Sequence, residues 1–232
     1  MNGHPADKSN ASSRAGSRGR TGVRLSVANH SASVLRARIA GGLLPPGTRL
    51  REEHLADDLE VSRNTLREVF QLLAHEGLIE HIAYRGVHVR RMGSDDIRAL
   101  YRTRRLVEPL GLAAAIADAQ LRSAMSVAVE GAMAAAERGD WHGVGTRDIE
   151  FHRAIIDGCG SPHISAMSDR LLAELRLAFL QLPDPEQLHR PYLARNRRLV
   201  ALVDAGEEAT ARAELEQYLI ASESDVLRTI VV

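Results

Sequence analysis

Between Leu43 and Arg91 the spacing of apolar residues changes character twice, and each change marks an element. Across Glu52 to Leu59 the residues Leu55, Ala56 and Leu59 fall at helical spacing, with His54, Asp57 and Asp58 on the opposite face. Glu60-Val61 then leaves room only for a tight turn. Ser62 is a good N-cap, and a second helix from Arg63 to about His75 would bury Leu66, Val69, Phe70 and Leu73 while exposing Arg63, Asn64 and Arg67. Gly77 supplies its C-terminal stop. Upstream, Pro45-Pro46-Gly47-Thr48-Arg49-Leu50 reads as a turn that delivers the chain into the first helix. Downstream, Leu78 to His81 and Gly86 to Arg90 read as two short strands around an Ala83-Tyr84-Arg85 tip. Two short helices followed by a hairpin are the parts of a winged helix-turn-helix, in order.

From Ser94 to the end the period is helical throughout. Ser94-Asp95-Asp96 is an acid-rich helix start, and Ile97, Leu100, Tyr101, Leu106, Val107 and Leu110 continue an apolar stripe that the Ala-rich Leu112 to Ala119 extends. Further helices are expected at about Leu121 to Arg138, Trp141 to Asp157, Pro162 to Leu182, Tyr192 to Ala205 and Glu207 to Val226. Pro183, Pro185 and Pro191 are read as interruptions. The fold class is therefore mainly α, an N-terminal winged helix-turn-helix plus a C-terminal all-α bundle of six or seven helices. The expected division is a disordered basic tail over 1–30, the winged domain over 31–92 and the helical domain over 93–232.

Composition adds a charge asymmetry. The 232 residues balance 30 basic against 30 acidic side chains, but residues 1–92 hold 14 and 9, a net of +5, and residues 93–232 hold the other 16 and 21, a net of −5. A DNA-facing part joined to a second, differently exposed part has this signature. Residues 1–30 supply much of the excess and are rich in Ser, Gly and Asn, a composition unable to bury a core. A single Cys, Cys159, forms no internal disulfide, no run approaches the roughly 18 apolar residues of a membrane span, and nothing at the start resembles a secretion signal. A cytoplasmic protein without membrane contact is the expectation.

The exposed start of the second helix carries the chemistry of base reading. A recognition helix sets its N-terminal residues against base edges in the major groove, which nominates Ser62, Arg63, Asn64, Thr65 and Arg67. Arg fits guanine and Asn fits adenine, each bidentate pair contributing roughly 1–3 kcal/mol of discrimination. Arg85 at the wing tip would meet phosphate or the minor groove. In the helical part, Asp148 and His152 lie four apart and share a face, a spacing that suits a divalent metal, a polar ligand, or simply an acid–imidazole pair. His163 and His189 stand beside Pro at helix breaks and are expected at the surface or in caps.

The run Leu-Leu-Pro-Pro-Gly-Thr-Arg-Leu-Arg-Glu (43 to 52), Leu-Ala (55, 56), Val-Ser-Arg-Asn-Thr-Leu-Arg-Glu (61 to 68) and Glu-Gly-Leu-Ile (76 to 79) resembles the DNA-binding domain of the GntR transcription regulators. The resemblance implies DNA contacts at Arg51, Arg63, Asn64, Thr65, Arg67 and Gly86. Asn64 stands where many relatives carry Thr, so operator sequence does not transfer. The pattern Tyr-x-x-Arg-x-x-x-Glu from Tyr101 to Glu108, the Phe151-His152 step and the Asn196 to Leu219 segment resemble the effector domain (FCD) of the FadR-type branch. In many members of that branch an Asp and a His four apart join two further His to hold a metal beside a small carboxylate. Here those positions are Asp148, His152, Asn196 and Tyr218, so half of the set is kept. Two expectations stand side by side: a divalent ion of the Zn, Ni or Mn type on Asp148 and His152 with Asn196, or a hydrogen-bonding effector pocket of Arg104, Asp148, His152, Asn196 and Tyr218.

The leading function is thus an effector-responsive regulator, a repressor by the commonest logic of the family, binding a pseudo-palindromic double-stranded operator as a homodimer. An activator of the same fold, a metal-dependent helical-bundle enzyme with a winged docking domain, and a winged domain that binds only protein are the alternatives. Nothing near Asp148 and His152 supplies a second acid/base pair or an activated nucleophile, which weighs against an enzyme.

Overall fold

A computed structural model describes residues 15–230. The chain begins with α1 (Ala15–Ala40), followed by β1 (Arg49–Leu50), α2 (Glu52–Asp58), α3 (Arg63–His75), β2 (Ile79–Ile82) and β3 (Gly86–Val89). The part of the expected disordered tail before Ala15 lies outside the described residues. From Ala15 the chain is helical, which corrects that expectation for the rest of the tail. Ala28, Ala32, Leu35 and Ile39 are all buried, and their three- and four-residue spacing is a stripe that seats α1 on α3.

The helix-turn-helix follows the sequence closely. Ser62 caps α3 by accepting the Thr65 amide at 3.1 Å. Gly77, at φ +74°, closes it with Gly77 N–H to the Ala74 carbonyl and Leu78 N–H to the Leu73 carbonyl, both 3.0 Å. This six-to-one plus five-to-two pairing is the Schellman stop. The wing has a third strand that the pattern did not predict: β1 pairs antiparallel with β3, Arg49 opposite His88 and Leu50 opposite Val87, in the order β1-β3-β2. Two residues carry no period, so only the partner strand makes Arg49-Leu50 a strand.

The helical part contains α4 (Ser94–Ala117), α5 (Ala119–Glu137), α6 (Trp141–Asp157), α7 (Pro162–Leu180), α8 (Pro185–Asp204) and α9 (Glu208–Ile230). Pro191 does not interrupt the chain. Pro185 starts α8 and Pro191 sits inside it, where buried Leu188 and Tyr192 on either side hold the helix together despite the missing amide. Helices α4 and α6 approach closely at Gly111 and Gly158. A Cβ on Gly111 would lie 1.9 Å from the Ile155 carbonyl oxygen, so that crossing admits only glycine.

Polar contacts fasten the winged part to the bundle. Arg90 bridges Glu174 (2.8 Å) and Asp96 (2.7 Å). The Gln181 amide pairs with both backbone groups of Met92, at 2.6 and 3.0 Å. A single apolar cluster runs from Leu35 and Phe70 through Met92 to Leu172 and Leu177. No single helix among the described residues is long and apolar enough to cross a membrane.

Candidate functional site

At the start of α3, Ser62, Arg63, Asn64 and Arg67 are exposed on the face opposite Leu66, Val69, Phe70 and Leu73. Arg63 reaches Glu53 at 2.8 Å and Arg67 reaches Glu52 at 3.3 Å, both on α2. With both Arg side chains about 65% exposed, these pairs are weak enough to be exchanged for base or phosphate contacts. Thr65 differs from its neighbours. It is buried, and its hydroxyl lies 2.9 Å from Ser62 Oγ. Its amide and hydroxyl both meet the Ser62 cap, which sets the side chain behind the exposed face of α3. Arg51 is exposed at the N-cap of α2, and Arg85 and Gly86 are exposed at the wing. Gly86 has φ +89° and Tyr84 φ +62°, so the tip is a turn of left-handed residues that lifts the Tyr84 ring fully into solvent.

The second site is built inside the bundle from four helices. Tyr101, Arg104 and Glu108 face inward from α4, Asp148 and His152 from α6, Asn196 from α8, and Tyr218 and Ser222 from α9, all buried. Each pair or triplet lies at three- or four-residue spacing, which is why one face of each helix delivers them to a common centre. The five residues proposed from sequence are brought together, joined by Glu108. Arg104 Nε donates to Glu108 Oε1 at 2.6 Å, and Glu108 Oε2 lies 2.8 Å from His152 Nδ1. His152 Nε2 is 3.2 Å from the Tyr218 hydroxyl, which donates to Asp148 Oδ1 at 3.1 Å. Asn196 Nδ2 donates to the same oxygen at 2.8 Å. Burial alone would raise the Glu108 carboxyl, but Arg104 and His152 outweigh it and hold it at about 2. Burial, reinforced by Asp148, keeps the Tyr218 phenol well above its ordinary value.

Three buried polar atoms in this network have no hydrogen-bond partner among the described residues: Arg104 Nη1, Arg104 Nη2 and Asn196 Oδ1. The Asn196 orientation follows from Asp148, which demands the amide nitrogen and so turns the carbonyl away. Two donors on a guanidinium and one amide acceptor thus stand ready for a ligand. Glu108 was not among the expected site residues. Its signal lay in the sequence, four residues after Arg104 on the same helical face.

The donor set does not fit a transition metal. Of the four positions only Asp148 and His152 are ordinary transition-metal ligands. Asp148 Oδ1 is already occupied by two donors, Tyr218 is held as a neutral phenol, and Asn196 offers only a carbonyl oxygen in place of an imidazole. No group of three His, Cys, Asp or Glu among the described residues is arranged to hold an ion. Hydrogen bonds take the place that imidazoles would give to a metal.

His189 is not a surface residue. It is buried edge-on against Phe179, 4.9 Å between ring centroids, and burial lowers its imidazole to about 4. A Cβ on Gly145 would fall 2.6 Å from its Nε2 and 2.5 Å from Arg176 Nη1, so Gly145 is where these two side chains converge on α6. The free thiol of Cys159 is half-buried, and burial raises it. His163, as expected, is exposed.

A winged helix-turn-helix ahead of an all-helical domain with a polar centre defines a DNA-binding transcriptional regulator. The chain belongs to the GntR family of bacterial regulatory proteins, whose description matches residues 28–89, and its helical part is an FCD domain, matched over residues 99–221. It is 30% identical over 208 residues to an uncharacterized HTH-type transcriptional regulator, BphR, of Paraburkholderia xenovorans (strain LB400), covering 84% of this chain and 82% of that one. A protein of Paenarthrobacter nicotinovorans described as a probable D-xylose utilization operon transcriptional repressor is 27% identical, over 86% of this chain and 88% of its own. Among solved structures, a GntR transcriptional regulator from Rhodococcus sp. RHA1 superposes with a TM-score of 0.84 at 37% identity, covering 87% of this chain and 98% of that one. These relatives are regulators, and the chain is a regulator rather than an enzyme.

Proposed function

We propose that the chain is an effector-responsive repressor that binds a pseudo-palindromic operator as a homodimer and responds to a small carboxylate or acyl compound held in the bundle. The observation that carries the effector reading is the unpartnered trio of Arg104 Nη1, Arg104 Nη2 and Asn196 Oδ1 in an otherwise saturated buried network. Leaving such groups dry costs roughly 1–3 kcal/mol each, a cost that a carboxylate on Arg104 with a hydroxyl or amide toward Asn196 would remove. The ligand would be selected by hydrogen bonding in a site that Asp148, His152 and Tyr218 shape without a metal.

The homodimer is supported by Leu106 and Leu110, one turn apart on α4 and more than 60% exposed, an apolar pair that a second copy would cover. Two recognition helices about 34 Å apart would then enter successive major grooves. Base reading falls to Arg63, Asn64 and Arg67, with Ser62 at the helix start, and backbone contact to Arg51, Arg85 and Gly86. Repression is favoured by the names of two relatives, the Paenarthrobacter protein and a gluconate operon transcriptional repressor of Bacillus licheniformis. The site of action would be the cytoplasm.

A thermal-shift screen of small carboxylates and acyl thioesters tests the effector reading. A true effector at about 100 times its Kd stabilises the protein by about 2.7 kcal/mol, and the shift disappears in Arg104→Met. The same compound lowers affinity for a duplex from the chain's own promoter region. A compound that shifts wild type and Arg104→Met equally would sink this site.

A further inference from the structure

A cleft lies between the winged part and the bundle, and no side chain of the Arg104–Asp148 network lines it. It encloses about 750 Å³, a size suited to one small organic molecule. Ile149 from α6 and Ala166, Met167 and Ala173 from α7 form the accessible apolar part of its wall, above the buried Ile39, Leu172 and Leu177. Its charged lining is largely paired: Arg36 with Glu76 (2.6 Å), Arg153 with Asp169 (2.5 Å) and Arg170 with Glu174 (3.0 Å).

Arg176 is the exception. It lines the same cavity and is 94% buried, being 6% exposed. No carboxylate among the described residues lies within ion-pair distance of it. Its guanidinium is held by two backbone carbonyls, Nε donating to Ala40 at 2.8 Å and Nη2 to His142 at 3.1 Å. Carbonyl dipoles position a buried cation without neutralising it. Burial lowers this guanidinium to about 10, although Asp148 and Asp140 act in the opposite sense. Ala40, the last residue of α1, is also part of the wall. The unneutralised charge therefore stands where the winged part meets the bundle.

We propose that this cleft is a second binding site, for an amphipathic organic anion whose carboxylate or sulfonate meets Arg176 and whose aryl or acyl body lies on Ile149, Ala166, Met167 and Ala173. Attraction between opposite charges in an apolar wall is several-fold stronger than in water, so one anionic head suffices for selectivity. An occupant touches α1 on one side and α6 and α7 on the other, which makes the angle between the winged part and the bundle sensitive to it. None of the bundle network's side chains lines this cleft, although the charge of Asp148 is felt by Arg176.

The probe is 1-anilinonaphthalene-8-sulfonate, an aryl anion that fluoresces in apolar surroundings, compared with N-phenyl-1-naphthylamine, the same rings without the charge. Saturable binding of one sulfonate per protomer is expected, at least about tenfold tighter than the neutral amine. Ala173→Trp, which fills the cleft from a half-buried position on α7, should weaken the sulfonate at least about tenfold. Arg176→Gln should abolish the preference for the anion while leaving the amine bound. Equal affinity of wild type and Ala173→Trp, equal affinity for the two probes, or non-saturable binding each overturns the proposal. If Arg176→Gln does not fold, the wild-type comparison and Ala173→Trp decide.

Discussion

Arg104 and Glu108, one turn apart on α4, form an ion pair of 2.6 Å in which neither side chain reaches solvent. The pair joins the Tyr101 ring, over which the guanidinium stacks at 4.8 Å, to His152 on α6. Removing one partner leaves the other charge buried. Glu108→Gln should therefore destabilise the fold by about 3–5 kcal/mol in urea unfolding, and a change under about 1 kcal/mol would contradict the arrangement. Because the folded-state carboxyl is held at about 2, its contribution is complete above the ordinary value of 4.5 and is lost as pH falls through about 2.

His189 governs a different pH window. Its imidazole is lowered from 6.5 to about 4 by burial, so the unfolded chain takes up a proton before the folded chain does. The stability of the neutral form is full above pH 6.5 and declines as pH falls toward 4. The melting temperature of wild type should drop across that interval, and His189→Leu should flatten the drop. An unchanged slope in the variant would show that other groups carry it.

Gly111→Ala should be severe for a residue that touches no ligand. Its Cβ would overlap the Ile155 carbonyl at 1.9 Å, and backbone does not yield as a side-chain tip does. The cost should reach or exceed the roughly 1–3 kcal/mol of ordinary overpacking. Because α4 and α6 must part, the spacing between Glu108 and His152 should loosen with it. Reduced effector affinity at temperatures where the variant is still folded is the readout.

In DNA binding, Arg63→Ala or Arg67→Ala should each remove roughly 1–3 kcal/mol of discrimination at one operator position. Arg85→Ala should instead weaken all duplexes alike and make the salt dependence shallower by about one unit. Thr65→Val separates a cap from a reader: with its hydroxyl turned to Ser62, it should cost about 0.5–1 kcal/mol of stability and leave base preference intact. A changed preference in Thr65→Val would return Thr65 to the reading face.

The hydrogen-bonded centre also predicts a gain of function. Purified protein should carry no stoichiometric Zn, Ni or Mn. Asn196→His combined with Tyr218→His would supply the two imidazoles that metal-binding relatives have and free Asp148 Oδ1 from its present donors. Elemental analysis should then find about one divalent ion per protomer, lost again on adding His152→Ala. Metal at full occupancy in the wild type would overturn the assignment.

Much of this protein could be read from local order. The bounds of α2 and α3, the Ser62 cap, the Gly77 stop and the wing hairpin follow from period, capping and turn chemistry, all of which act within a few residues. Helical spacing put Asp148 and His152 on one face, whereas Arg104, Asn196 and Tyr218 joined them only through the resemblance to the FadR-type effector domain. Tertiary packing decided the rest. It made Arg49-Leu50 a strand by giving it a partner, buried Thr65 and His189 against expectation, and carried α8 through Pro191 on the strength of its neighbours. It also determined that Asp148 and His152 meet a phenol and an amide across the bundle, and that Arg176 is buried without a carboxylate. Contacts between residues dozens of positions apart leave no period in the chain. Residue types and faces are therefore local information, whereas partners and neutralised charges belong to the assembled fold.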